Sequence, residues 1–358
     1  MKFELINAEE FRKFAEKSPY KSFMQTPEIA AYREENGWTV YYFAVKEDDK
    51  IQAATMLVAK PTFLGKSTFY APGGPLLDLE NTKLVNFFIK NLKSYIKSHN
   101  GYILRISPYY ELIERNRNGE IVKDGFTHRR AINNLKKLGF IATNNSDQPK
   151  YLFAMNLVGR TVDQVFMDLK RNTRNHVRKA EKMGVKVREL GRDELKLLKQ
   201  ITESTAQRRN FEDRPLSYYE SMYDLFVKRD EAKFIIAEAP IESQKPTPLS
   251  AAMFMTYGDE VIYLFSGSDQ KYMHDYNAQY LIQWYMIKYS IENKFKKYNF
   301  YGINGLPDPK SPDYGIYEFK KGFGGHVEEL IGTYEVPINP VFYRLHHILS
   351  SLKTKLKH

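Results

Sequence analysis

Apolar and polar positions along the chain alternate with two periods, 2 and about 3.6, and the order in which these periods succeed one another occurs twice. The first occurrence opens with a short strand from Lys2 to Ile6 and a helix from Ala8. In "TPEIAAYREENG", Thr26 is a natural N-cap, Pro27 suits the first helical position, and Gly37 closes the helix. The runs "TVYYFAV" and "IQAATMLVA", separated by the polar turn "KEDDK", predict a hairpin. A third strand, "STFY", leads into the loop "APGGPLLD". A helix with Leu84, Phe88, Leu92 and Tyr95/Ile96 on one face follows, stops at Gly101, and gives way to the strand "YILRIS".

After helices predicted around 162–183, 192–207 and 217–228, the order repeats. The strands "KFIIAEA", "LSAAMFMTY" and "VIYLFSGS" precede a long helix from Met273 to Asn293 and the strand "KYNFYGI". Matching elements lie on the order of 190 residues apart, so two similar units in tandem account for the length better than one large sheet. Strand, loop, helix, strand is the order of the GNAT acyltransferase fold, whose crossover makes the flanking strands parallel within a mixed sheet. The expected fold class is therefore α/β, of the α+β kind, with two tandem GNAT-like acyltransferase domains on mixed sheets.

Composition narrows the chemistry. The 358 residues contain no cysteine, which removes disulfides, thiolate nucleophiles and cysteine-based zinc sites together. The eight histidines are scattered, and His346-His347 are adjacent and not at i, i+4, so no metal site is expected. No run approaches the ~18 apolar residues of a membrane span, and the N-terminus lacks the basic-then-apolar order of a signal peptide, so a cytoplasmic location is expected. Lysine and arginine outnumber the acids 54 to 43, for a net charge of +11, which favours a polyanionic partner. Neither loop ahead of a crossover helix, "YAPGGPLLD" or "FSGSDQKY", carries the glycine-rich turn that grips the pyrophosphate of coenzyme A. A coenzyme A donor is disfavoured and no cofactor is expected.

Three constellations stand out. Between Lys170 and Arg188 eight lysines and arginines face one acid, Glu181, while Val162, Phe166, Leu169, Val177 and Ala180 keep helical spacing. This reads either as a solvated basic face or as a contact for phosphates, through Lys170, Arg171, Arg174 and Arg178. "AQRRNFEDRPLSYYESMY" sets Arg208, Arg209 and Arg214 among Phe211, Tyr218, Tyr219 and Tyr223. Arginine forks suit phosphates and tyrosine faces suit bases or sugars, whereas ion pairs with Glu212 and Asp213 and a packed tyrosine stripe form the structural alternative. "SGSD" is expected to open the long helix with backbone donors at its positive end. Asp269 and Asp275 nearby read as helix caps, and no nucleophile motif is present. In "YEFKKGFGG", Lys320 and Lys321 read as favourable charge at a helix C-terminus before a glycine stop.

The run "YLFSGSDQKYMHDYNAQYLIQWYMIKYSIENKFKKYNFYGINGLPDPKSPDYGIYEFKKGFGG", with "LKRNTRNHVRKAEKMGVKV" and "YAPGGPLLD" upstream, resembles the FemABX family of peptidoglycan branching aminoacyltransferases. The likeness extends over nearly the whole chain in the right order. It implies a GNAT-like domain 1 over 1–150, joined by the C-terminal segment 333–358, and a GNAT-like domain 2 over 151–332. It also implies transfer of an amino acid from aminoacyl-tRNA to the side-chain amine of the third stem-peptide residue of a peptidoglycan precursor, UDP-MurNAc-pentapeptide or lipid II. Family members that build staphylococcal bridges carry a helical arm in the second domain, whereas "YDLFVKRDEAKFII" passes directly from helix to strand, as in the compact members.

By the same resemblance the catalytic lysine falls on Lys320, preceded by Phe319, with Lys321 as the alternative in the doublet. The uridylate-binding arginine and tyrosine fall on Arg214 and Tyr218. A phosphate-contacting lysine eight residues after a family glutamine falls on Arg33 after Gln25, where arginine keeps the charge and changes the fork. A pair of strand tyrosines becomes Tyr263 and Phe265, with one hydroxyl lost. An aminoacyl ester is already activated, so positioning supplies much of the catalysis, and a fixed ammonium meets the oxyanion and the departing ribose oxygen. The residues leave two other readings open: a transferase acting on protein N-termini, and a non-catalytic binder of RNA or an anionic surface. The tail "NPVFYRLHHILSSLKTKLKH", with Val341, Leu345, Leu349 and Leu352 apolar and Lys353, Lys355 and Lys357 opposite, reads as a helix that packs on the first domain or touches an anionic membrane.

Overall fold

The computed structural model describes residues 1–146, 148–241, 245–345 and 348. The chain divides into two compact units, Met1–Glu114 with Lys123–Lys150 and Glu329–His358, and Arg115–Val122 with Tyr151–Glu328. Apart from a short excursion, 115–122, that belongs to the second unit, the division falls between residues 150 and 151, and the return to the first unit begins at Glu329.

The first unit is built on a seven-stranded mixed sheet in the order Lys2–Leu5, Thr39–Glu47, Lys50–Pro61, Ser67–Gly73, Gly101–Pro108, Thr333–Pro337, Ile141–Thr143. The predicted hairpin forms, and the crossover helix Thr82–Ser98 makes Ser67–Gly73 and Gly101–Pro108 parallel, in contact from Ser67 through to Gly73. Leu84, Phe88, Leu92 and Ile96 are buried on the sheet, as their spacing predicts. Gln25 ties the segment ahead of helix Pro27–Glu35 to this sheet. Its fully buried amide donates to the carbonyls of Met56 (3.0 Å) and Pro72 (2.7 Å) and accepts from the Met56 amide at 2.7 Å. A Cβ on Gly74 would lie 2.6 Å from the Gln25 side chain, so this glycine of "APGGP" serves a close approach within the protein.

At the other end of the unit, the helical backbone at 340–345 is capped by Asn339, whose Oδ1 accepts from the Phe342 amide. Phe342 packs against Tyr102 and Ile103, with Tyr343 partly buried beside it. Val341, expected on the packing face, is 79% exposed, because the face is rotated by one residue. Leu349, Leu352, Lys353, Lys355 and Lys357 lie outside the described residues.

In the second unit the sheet runs His326–Leu330, Tyr151–Asn156, Lys297–Ile303, Glu260–Ser268, Lys245–Tyr257, Ala232–Ile241, Lys186–Glu189. The crossover helix Ala278–Glu292 buries Leu281, Ile282, Trp284, Met286 and Ile287, and its flanking strands are again parallel. Their pairing covers only Glu260–Ile262 against Lys297–Asn299, and beyond it the strands separate.

Three local expectations give way to tertiary structure. The long helix from Met273 is two, Met273–Tyr276 and Ala278–Glu292, parted by Asn277 in the left-handed region (φ 53°). "SGSD" therefore does not open it. Ser266 to Ser268 end the strand, and a Cβ on Gly267 would lie 2.4 Å from the Ile201 carbonyl oxygen, so the glycine admits helix Leu195–Arg209. The basic helix is also two, Val162–Asp168 and Arg171–Lys182. Between them Leu169 is buried with extended backbone, and the Lys170 amide donates to the Gly322 carbonyl at 2.9 Å, so the helix ladder yields to a distant partner. Among the described residues no helix is long and apolar enough to cross a membrane.

Replacing Gln25 with leucine keeps the volume and strands three buried backbone groups. Chemical denaturation should show a loss of roughly 2–4 kcal/mol, and a loss below about 0.5 kcal/mol contradicts the tether.

Candidate functional site

The lysine doublet sits in the last turn of helix Tyr314–Gly322, and the two side chains have different surroundings. Lys320 is 5% exposed. Its Nζ donates to the carbonyl oxygens of Gly302 (2.5 Å) and Tyr301 (3.3 Å), and no carboxylate lies within ion-pair distance of it among the described residues. Burial lowers its pKa to about 7. Lys321 is instead an ordinary paired lysine, 3.7 Å from Glu318 and over the Tyr317 ring. Burial pulls its pKa down, but Tyr317 and Glu318 outweigh it and the value is raised.

The carbonyls come from an irregularity in strand Lys297–Ile303. Asn299 pairs with Ala154 and Gly302 with Leu152, so three steps on one strand match two on its neighbour. This is a β-bulge, and within it Tyr301 takes a left-handed conformation, φ 63°. At this bulge the Tyr301 and Gly302 carbonyls both accept from the lysine. An ammonium has three donors, and two are satisfied in this way. The helix end is fixed by contact: a Cβ on Gly322 would lie 2.4 Å from Thr173 Oγ1, and Lys170 Nζ reaches Glu318 at 3.1 Å. Burial raises the pKa of Glu318, yet hydrogen bonds from Lys170 and Tyr314 and the Lys321 charge hold it below its ordinary value. Phe319 packs edge-on against Tyr280 and Phe323, turning the opposite side of the helix into core.

A second cluster gathers Arg214, Tyr218 and Phe265. The Arg214 guanidinium lies 5.4 Å from the Tyr218 ring centroid and 5.8 Å from that of Phe265, and the two rings meet edge to face. Arg214 is exposed above them. Its loop is held from below by Asp213, which pairs with Lys199 (2.9 Å) and accepts from Thr202 and Tyr219. Asp213 thus meets a lysine and two hydroxyls, not the neighbouring arginines. Arg208 reaches the Ser268 carbonyl and Arg209 lies 3.8 Å from Asp313. Tyr263 does not join Phe265. A register shift opposite Met253 and Phe254 separates them, and Tyr263 packs on Phe254 with its hydroxyl on Ser266, its pKa raised to about 12 by burial.

Of the four basic-helix residues, Lys170 is paired with Glu318, Arg174 turns back to the Met167 and Leu169 carbonyls, Arg178 lies over Phe166, and Arg171 is exposed. Arg33, in the first unit, shares the Trp38 ring with Lys60, each about 5 Å from the centroid. Glu318 and the Tyr301 and Gly302 carbonyls were not foreseen. The one local signal for the bulge is an asparagine two residues before Tyr301, the spacing of an Asx-turn.

The FemAB family profile matches residues 6–246 and 240–351. The chain belongs to the FemAB family. Aminoacyltransferase FemB of Staphylococcus epidermidis is 28% identical over 417 aligned positions that take in all of both chains. That alignment is longer than this chain, so FemB carries sequence with no counterpart here. In this family member helix Leu216–Phe226 passes through the single turn Val227–Arg229 into strand Ala232–Ile241. The crystal structure of FemX shares the fold over 96% of this chain and 99% of its own, with a TM-score of 0.84 at 22% identity. A tandem GNAT protein from the clavulanic acid biosynthesis pathway shares it over 94% of this chain and 98% of its own, with a TM-score of 0.54 at 9% identity. The fold is therefore the mixed α/β tandem GNAT arrangement that the element order predicts.

Substituting Asp213 with alanine leaves Lys199 without its buried partner. We expect a loss of about 3 kcal/mol or more in denaturation; a variant as stable as wild type contradicts the role given to Asp213.

Proposed function

We propose that this member of the FemAB family, a transferase, moves an amino acid from aminoacyl-tRNA to the side-chain amine of a peptidoglycan stem peptide, on UDP-MurNAc-pentapeptide or lipid II, and so builds the interpeptide bridge. The observation that carries the assignment of chemistry is the ammonium of Lys320, positioned by two carbonyls and neutralised by no acid among the described residues. In the reaction the neutral acceptor amine attacks the ester carbonyl carbon and a C–N bond forms. The carbonyl oxygen carries the negative charge until the C–O bond to the ribose breaks. The amine gives up a proton and the ribose oxygen gains one. Lys320 meets the charge on these oxygens with its third N–H, and the ester already supplies the activation.

Other parts of the molecule support the reading of the partners. Arg214 over Tyr218 and Phe265 offers a cation beside aromatic faces, suited to a nucleotide of the acceptor. Arg33 on Trp38 offers a second cation for phosphate. The exposed Arg171 and Arg178 suit the tRNA backbone, with Arg174 and Lys170, engaged by the Met167 and Leu169 carbonyls and by Glu318, adding positive charge beside them. In the C-terminal segment Val341, Leu345 and Ile348 are exposed at i, i+4 and i+7, and no acid follows Glu335, which suits peripheral contact with the anionic inner face of a membrane by a protein working in the cytoplasm.

The test is mass spectrometry of UDP-MurNAc-pentapeptide and lipid II after incubation with the protein and mixed aminoacyl-tRNAs. A mass gain of one or more amino acids on either acceptor is expected, and none on both overturns the reading. Lys320→Ala should slow single-turnover transfer by roughly 10²–10³, with Lys321→Ala within a few-fold of wild type. Because burial lowers the Lys320 pKa to about 7, its charged form is lost as pH rises through that value. The alkaline limb of the wild-type rate profile should fall there and vanish in Lys320→Ala. An unchanged limb removes the role of the charged lysine.

A further inference from the structure

Lys320 is held by a bulge, and the bulge is held in turn by a side chain outside the family-derived site. Asn299 is fully buried, the last residue of its strand in register with both neighbours, Ile262 on one side and Ala154 on the other. Its Oδ1 accepts from the amide of Tyr301 at 2.7 Å, and its Nδ2 donates to Glu260 Oε2 at 3.3 Å. Glu260 is itself buried and held by Lys297 at 3.1 Å. A carboxylate only accepts, so Glu260 fixes which end of the Asn299 amide faces Tyr301. The fixed oxygen satisfies an N–H that leaves the ladder when Tyr301 adopts φ 63°, a conformation that costs a non-glycine residue free energy. That conformation aims the Tyr301 and Gly302 carbonyls at Lys320 Nζ.

We propose that Asn299, oriented by Glu260, is a positioning residue for transfer: it maintains the left-handed turn at Tyr301, and through that turn the placement and charge of the Lys320 ammonium. The inference rests on the reading of Lys320 as the group that meets the developing charge. The charged groups around the lysine are otherwise engaged. Glu318 is taken by Lys170 and Tyr314, Lys321 by Glu318, and Lys297 by Glu260 and Glu328. The two carbonyls are therefore what favours the charged form over the neutral one. Without Asn299 the Tyr301 amide loses the side-chain oxygen it donates to, the turn relaxes toward regular strand, and the two carbonyls turn away from Lys320.

The experiment compares wild type with Asn299→Ala, Asn299→Ala/Tyr301→Gly and Lys320→Ala in the full chain, using mixed aminoacyl-tRNAs with UDP-MurNAc-pentapeptide and lipid II. Asn299→Leu, which keeps the volume and removes only the polar atoms, is measured alongside in case the alanine variant fails to fold. Losing Asn299 should lower kcat by on the order of 10- to 100-fold with KM for both substrates unchanged. It should also move the alkaline limb to lower pH, because a lysine without its carbonyl acceptors gives up its proton more readily. Glycine at 301 adopts the left-handed turn without cost and should restore most of the rate and the position of the limb. If the Asn299 variants keep the wild-type kcat and limb while Lys320→Ala is impaired, the inference fails and the catalytic reading stands. The inference also fails if glycine at 301 rescues nothing. If Lys320→Ala itself transfers at the wild-type rate, the catalytic reading fails first.

Discussion

Two hydrogen bonds from one buried ammonium to one irregular strand are the contact on which the proposed site depends. Lys320 gives its protons to the Gly302 and Tyr301 carbonyls, and this contact joins helix Tyr314–Gly322 to the central strand of the second sheet. Around it the second unit contains several close approaches. Gly322 meets Thr173, the Lys170 amide reaches the Gly322 carbonyl, and Gly325, at φ 103°, would place a Cβ 2.2 Å from the Ala154 carbonyl oxygen. Burying an ammonium without a carboxylate partner is expensive, and the two carbonyls offset part of that cost.

The two units use one frame for different ends. In the first sheet the parallel strands beside the crossover stay paired along the whole of Ser67–Gly73. In the second sheet the corresponding pair stops after Ile262 and Asn299, and the next residues, Tyr263 to Ser266, are only partly buried. The bulge begins directly after Asn299 within strand Lys297–Ile303, so the place where the sheet opens and the place where Lys320 is held are neighbours in sequence. Duplication of the fold thus leaves one sheet closed along its parallel pair and the other open beside a positioned charge.

The element order was legible because it rests on strong periodicity. Hairpins, crossover helices and the cap at Thr26 all follow from short-range patterns, and the apolar face Leu84, Phe88, Leu92 and Ile96 is buried as its spacing requires. The misses occur where a tertiary partner overrides a local preference. Nothing in "FMDLKRNTRNHV" announces that the Lys170 amide will leave its helix for Gly322, and Asn277 breaks a helix whose composition favours continuing it. The doublet was ambiguous in sequence because adjacent lysines on a helix look alike by composition. Structure separates them, since Lys320 points into the core and Lys321 toward Glu318 and Tyr317. The carbonyl partners of Lys320 were invisible because a bulge is a property of two strands together, and the partner strand lies far away in the chain.

The central claim is that Lys320 is a buried ammonium held by two carbonyls, with no acid beside it among the described residues, and its titration tests this most directly. In the full chain carrying ¹³C-labelled lysine, with the Lys320 signal assigned by its loss in Lys320→Arg, that signal should titrate near pH 7. The exposed lysines should titrate close to the ordinary value of about 10.4. A Lys320 that titrates with the rest contradicts the account.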